Sequence, residues 1–440
     1  MPRNRGEGQP CTALAVARAG SSVASEPWPM SLADYDLTDL TLFERGFPHD
    51  VFAIHRQDAP VWWHRATPHT PDGVGFWSVA THGETVAILR DPVTFSSVGG
   101  GERPRGGTLI PDSPAAGQAL NMMDDPRHQR VRRLVSQGFT ARMIGPLEDE
   151  LRRRTRRLLD RVAPQGRCDF LTDVAAELPL QAITILLGVP EADRHRLCEW
   201  VDLSFDFRDR AAFEETEATR AAWGGLAEYG AALVAARRRR PGTDVMSIVV
   251  HAVHADETPP RLTDDELLSF FFLLFAAGAD TTRNATAGGL VALLQPPEQL
   301  AALAADPAGL PTAIEEMVRW TSPAAYNRRT VTRPVEFHGH ALRPGDKVVF
   351  WEASANRDER VFRDAMRFDA RRDPNPHLGF GHGVHHCLGA NLARLEMRVI
   401  FTELLARLTD IELAGEVEWT RSNKHTGIRH LPIRYRARRT

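Results

Sequence analysis

The sharpest chemical signal in the chain is a run of ten residues, Phe380-Gly381-His382-Gly383-Val384-His385-His386-Cys387-Leu388-Gly389. A lone cysteine is most often a small buried hydrophobe. This one stands where a Gly-rich loop enters a helix. A helix N-terminus carries partial positive charge, which favours thiolate over thiol. Glycines let a backbone approach a flat ligand closely and adopt positive φ. A thiolate so placed is suited to ligate iron and to push electron density toward O–O cleavage.

Two further groups of residues could do chemistry. Ala277-Gly278-Ala279-Asp280-Thr281-Thr282 lies inside a strongly apolar segment. Gly in a helix interior costs about 1 kcal/mol relative to Ala. A hydroxyl there bonds back to the preceding turn and bends the helix. Together they point to a helix opened for a purpose. Glu316-x-x-Arg319 is weak by itself, because the same spacing begins at Glu102, Glu150, Glu191, Glu217 and Glu418. Exposed pairs of that kind add a few tenths of a kcal/mol each.

Phe-Gly-x-Gly-x-His-x-Cys-x-Gly resembles the cysteine loop of the cytochrome P450 family, and every fixed position matches. From average residue usage, a chance match is on the order of one in a million. The resemblance runs from about residue 40 to the C-terminus and implies a haem (haem b) with Cys387 on its iron. Phe380, Gly381 and Gly389 would shape the loop, and His385 would lie near a propionate. It assigns Ala277 and Gly278 to an oxygen-binding groove, with Asp280 and Thr281 as an acid–alcohol pair. Asp280 is a departure, since close members of the branch often carry another acid or an amide. Position singles out Glu316 and Arg319 as a buried pair, completed by Arg367 or, failing that, Arg371. His128 and Arg132, four apart and so on one helix face, resemble the family's His-x-x-x-Arg. With Arg329 they would hold the propionates by charge-assisted bonds. By alignment Leu273, Ala276, Ala277 and Ala325 line the substrate pocket, with Tyr326 and Thr426 beside them.

The elements that must position these residues are legible as well. Thr263-Asp264-Asp265-Glu266 is a capping box. The helix it opens could reach Leu294, where Pro296-Pro297 stops it. At 1.5 Å per residue, about thirty residues span roughly 45 Å. The apolar part, Leu267 to Ala279, falls short of the roughly 20 residues a membrane span needs. Val61–Trp63 and Gly75–Val79 read as a strand pair, and Val335–Val349 as a second strand region. A helix should run from about Leu388 to Leu408, and residues 127–310 read as mostly helical. The arginines at 152, 153, 154, 156 and 157 read as a solvated helix face. Residues 96–120, rich in Gly, Pro and Ser, form a long loop that should act as a lid.

The expected fold is therefore mainly α with small β-sheets, a P450 fold with haem between the long oxygen-binding helix and the cysteine-loop helix. Residues 1–30 are expected to be a disordered leader and 31–440 a single catalytic domain. Net charge is -3, so nothing global favours nucleic acid or an anionic membrane. Cys11, Cys168, Cys198 and Cys387 form no CxxC pair and no zinc spacing, which fits a reducing cytoplasm and no disulfide framework. A Walker-like run at Gly101–Thr108 carries Gly107 where the phosphate-binding lysine belongs.

The resemblance implies a monooxygenase that uses O2 and two electrons from a separate ferredoxin and ferredoxin reductase, with no membrane anchor. A small acidic ferredoxin would dock near Arg127, Arg130, Arg133, Arg394 and Arg398. Asp125–Arg130, Thr281–Ala285 and Asn375–Gly381 resemble the actinobacterial branch that hydroxylates steroids and methyl-branched lipids. A terpenoid substrate, or a natural-product tailoring role in polyketide hydroxylation, phenol coupling or rearrangement, is the alternative. A non-catalytic haem-thiolate sensor or electron carrier is the alternative of another class.

Overall fold

The computed structural model describes residues 31–205, 216–256 and 258–438. The expected leader, residues 1–30, lies outside the described residues. The long helix runs Asp264–Leu294, 31 residues. Its start is set by the capping box: the Glu266 amide donates to Thr263 Oγ1 at 3.2 Å, and the Thr263 amide to Glu266 Oε2 at 3.0 Å. Both bonds satisfy amides that a helix start otherwise leaves unpaired. Helices Glu177–Leu186, Glu217–Arg239, Leu310–Thr321 and Ala390–Arg407 pack around it. Gly278 marks one close approach, since a Cβ there would sit 2.7 Å from Ile183 Cδ1. The helix is continuous through Gly278 and Thr281. At that point the glycine admits a neighbouring helix.

The strand pair forms as read, Val61–His64 antiparallel to Phe76–Val79 with Val61 opposite Val79. It extends into a five-stranded sheet through Lys347–Phe350, Asn327–Val331 and Phe95–Ser96. Three smaller sheets complete the β structure among the described residues. Helices dominate between residues 127 and 310, and the helix after the cysteine runs Ala390–Arg407. Among the described residues no helix is long and apolar enough to cross a membrane.

Loop 96–120 differs from the expected free lid. Ile110 is buried, and the guanidinium of fully buried Arg328 donates to the Ile110 carbonyl at 3.0 Å and pairs with Asp112 at 2.9 Å. Arg103 also pairs with Asp112, at 2.7 Å. A segment tied at its centre to a sheet is part of the scaffold. The arginine face of Leu147–Val162 is likewise not simply solvated. Arg152 and Arg156 reach buried Glu403 on the Ala390–Arg407 helix at 3.2 and 3.1 Å.

Candidate active site

Cys387 sits three residues before Ala390, the first residue of the Ala390–Arg407 helix. Its amide donates to the Phe380 carbonyl at 2.8 Å, closing the loop on itself. Gly381 and Gly383 both take φ of +69°, a region open to glycine and strained for other residues. At Gly383 a Cβ would also lie 2.6 Å from the Leu89 carbonyl oxygen. The Cys387 side chain is accessible, yet enclosed enough that burial raises its pKa. Accessible and enclosed together describe a thiol facing an internal cleft. The Gly389 amide, Arg132 and Arg394 pull the other way without overcoming burial. Burial therefore opposes the thiolate. A coordinated metal would favour it, since a ligating thiol is deprotonated outright.

Cationic and imidazole groups converge beside this loop. The His128 and His385 rings are 4.1 Å apart, centroid to centroid. His385 Nε2 lies 3.2 Å from Ser97 Oγ. Burial, then Arg329, His128 and Arg132, depress His385 to about 2, so it is a neutral imidazole. Burial also lowers His128, whose buried Nε2 has no hydrogen-bond partner. Arg329 is buried, and burial lowers it to about 10. Its guanidinium donates to the Arg328 carbonyl at 2.8 Å. Arg132, half-buried, donates to the His386 carbonyl. Buried arginines and an unpaired imidazole nitrogen in one place are a site for anionic oxygens. Among the described residues no three His, Cys, Asp or Glu converge as a metal-ligand set. A metal at Cys387 must bring its other ligands with it. A haem fits: it carries its own four nitrogens, and its two carboxylates match these donors.

On the long helix the open stripe is Leu273, Ala277 and Thr281, at steps of four. Ala277 is exposed, and Leu273, Ala276 and Thr281 are half-buried, as are Phe272, Leu274 and Gly278 beside them. Thr281 Oγ1 donates to the Ala277 carbonyl at 2.7 Å. Gly278 takes part in the packing with Ile183 described above and is half-buried. Asp280 is buried and turned aside. Its Oδ1 accepts from Arg283 at 2.9 Å and from Asn284 at 3.0 Å.

The support beneath the cysteine loop is centred on Glu316. Arg319 grips it through two bonds of 2.7 and 2.8 Å, with both side chains wholly buried. The third member is Arg372, whose Nε reaches both Glu316 oxygens at 3.0 and 3.2 Å. Arg367 and Arg371 are exposed. Arg367 contributes only its carbonyl, which accepts from Arg319 at 3.2 Å, so both assignments are corrected. Sequence reasoning also missed Glu315 and Asn356, and gave Arg394 only a docking role. Asn356 Oδ1 accepts from the Leu378 amide at 2.6 Å, and Arg394 lies 4.3 Å over the Phe380 ring.

Two expected pocket residues do not offer an open wall. Ala325 and Tyr326 are buried. Tyr326 packs on Trp351 and its hydroxyl accepts from the Ile110 amide at 3.2 Å. Thr426 is half-buried, with its hydroxyl donated to the Ser322 carbonyl at 3.0 Å. Arg130 is corrected too: it is buried against Glu266 rather than presented to a partner.

A cysteine loop joined to a helix N-terminus, an anion cradle and an open stripe on a long helix define the class of haem-thiolate proteins. The cytochrome P450 family model matches residues 310–435. The chain is 58% identical over 406 residues to the Mycobacterium tuberculosis protein designated cytochrome P450 126, covering 92% of this chain and 98% of that one. It is 36% identical over 434 residues to the methyl-branched lipid omega-hydroxylase of the same organism, covering 96% and 98%. The solved structure of Mycobacterium marinum CYP268A2 in complex with pseudoionone superposes with a TM-score of 0.79 at 35% identity, covering 94% of this chain and 100% of that one. The chain belongs to the cytochrome P450 family. It is a monooxygenase of that family, with haem as cofactor.

Proposed function

We propose that this P450 hydroxylates an unactivated C–H bond of an apolar small molecule: a methyl-branched lipid first, a steroid or terpenoid next. Electrons come from a separate ferredoxin and its reductase in the cytoplasm, and the cofactor is haem b. The observation that carries the reading is the Leu273, Ala277 and Thr281 stripe, an apolar wall with one hydroxyl in a mostly buried helix. Apolar walls with few polar groups take apolar ligands. Similarity to the omega-hydroxylase supports the branched-lipid class.

Cys387 would hold the iron, and Glu316, Arg319 and Arg372 keep its loop in place. His128, Arg132, Arg329 and His385 would receive the two carboxylates. When bound, haem supplies the oxygen-activating chemistry, while the protein supplies ligand, orientation and protons. Thr281 offers a hydroxyl that the Ala277 carbonyl orients, and Asp280 supplies protons to it.

The test is a titration of the holoprotein with a methyl-branched fatty acid, a steroid and a terpenoid, followed by product analysis with a reconstituted ferredoxin system. A substrate-type shift of the haem spectrum and a hydroxylated product support the reading. Thr281→Ala should keep consuming oxygen but release it as hydrogen peroxide. Coupling as tight as wild type in that variant contradicts the acid–alcohol assignment.

A further inference from the structure

We propose that His425 relays protons from solvent to Asp280, a role that rests on the reading of Asp280 and Thr281 above. The Asp280 side chain is 4% accessible. With Arg283 and Asn284 both on Oδ1, Oδ2 faces Nδ1 of His425 at 3.7 Å. His425 comes from a separate element, the loop between strands Glu418–Trp419 and Ile428–His430. At 14% accessible, its imidazole is partly exposed beside the buried carboxylate.

The loop that carries His425 is fixed to its surroundings. Its amide donates to Ser422 Oγ at 3.2 Å, and the Ala325 amide to the Lys424 carbonyl at 2.8 Å. The Ile428 amide donates to Asn284 Oδ1 at 3.3 Å. Asn284 therefore holds the acid through one end of its amide and the hairpin through the other. The charged neighbours include Arg283 on the long helix and Lys424 on the hairpin loop. Lys424 Nζ is turned to Asn327 Oδ1 at 3.0 Å and lies 4.7 Å over the Tyr326 ring, near the Glu352 carboxyl.

Chemistry separates the three groups named around Asp280. A guanidinium does not release its proton in proteins, and an amide does not titrate. An imidazole exchanges protons near neutral pH. One proton taken from water at Nε2 and one passed from Nδ1 to Asp280 Oδ2 leave His425 as the other tautomer, so charge and protons balance. Closing the gap to a hydrogen bond of about 2.7–3.2 Å takes a side-chain shift of under about 1 Å.

The first test needs no turnover. The His425 ring is titrated by NMR in the diamagnetic ferrous–CO holoprotein, in wild type and in Asp280→Asn. Loss of the facing carboxylate should lower its pKa by roughly half a unit or more. The second is product formation in His425→Gln, which keeps a hydrogen-bonding amide but cannot titrate. We expect turnover to fall about tenfold, the solvent deuterium isotope effect to rise, and substrate affinity to hold. The proposal is overturned if His425 titrates identically in Asp280→Asn, or if His425→Gln keeps wild-type turnover and pH profile. Slow Asp280→Asn with normal His425→Gln rejects the relay alone. Wild-type turnover in Asp280→Asn rejects the acid–alcohol reading and the relay with it.

Discussion

Glu315 holds Arg394 through two bonds, Nε to Oε1 at 2.6 Å and a terminal guanidinium nitrogen to Oε2 at 2.8 Å. Arg394 in turn lies over Phe380, the residue whose carbonyl takes the Cys387 amide. His377 adds a third contact to Glu315 at 3.1 Å. The cysteine loop is thus clamped from the Leu310–Thr321 helix.

That clamp has a pH signature. Bonds from Arg394 and His377 outweigh burial and hold Glu315 at about 2. A depressed carboxylate contributes stability above its unfolded pKa and loses it as pH falls through the folded value. Glu315→Gln should cost about 1–2 kcal/mol at pH 7. In urea unfolding, the gap to wild type should shrink between pH 4.5 and 2. A gap that stays constant across that window contradicts the clamp.

The triad can be tested by its competing arginines. Arg372→Ala removes two bonds to a buried carboxylate and should destabilise by about 2–4 kcal/mol. Arg367→Ala removes an exposed side chain and should stay within about 0.5 kcal/mol. The reverse order in chemical denaturation would restore Arg367 to the network.

The pocket wall separates two alanines. Ala277→Phe projects into the open stripe and should weaken binding of a bulky lipid about tenfold or more with little change in stability. Ala325 is fully buried, so Ala325→Phe should overpack and cost about 1–3 kcal/mol. Spectral titration and thermal unfolding read the two effects, and unchanged lipid affinity in Ala277→Phe moves the pocket elsewhere.

Arg398 is 44% accessible although paired with Glu148, which leaves it available to an acidic ferredoxin. Exposed charges are screened over about 8 Å at physiological salt. Electron transfer should slow as salt rises and slow further in Arg398→Glu. Arg130→Ala should lower stability first, because it strips buried Glu266 of a partner. A rate indifferent to salt and to Arg398→Glu argues for a different docking face.

Much of this is legible in the sequence. The cysteine loop is a contiguous motif, and the long helix announces both ends, Thr263 and Pro296, so local rules sufficed. The errors fall where the deciding atoms are remote in sequence. Arg367, Arg371 and Arg372 are indistinguishable until the chain path presents the Arg367 carbonyl to Arg319 and the Arg372 side chain to Glu316. Arg130 looks solvated until Glu266, 136 residues away, is folded against it. The contact of Gly278 with Ile183 is likewise visible only in the folded chain. Asn356 and Glu315 carry no motif, and only the tertiary structure brings them to the loop.

The central claim is that Cys387 supplies the thiolate to the haem iron. The most direct measurement is the absorbance of the dithionite-reduced, CO-saturated holoprotein in wild type and in Cys387→Ala, with haem content measured in both. Wild type should show the red-shifted Soret band of a thiolate-ligated carbonyl, and Cys387→Ala should lose it even where haem is retained. A thiolate-type band that persists in haem-loaded Cys387→Ala would contradict the account.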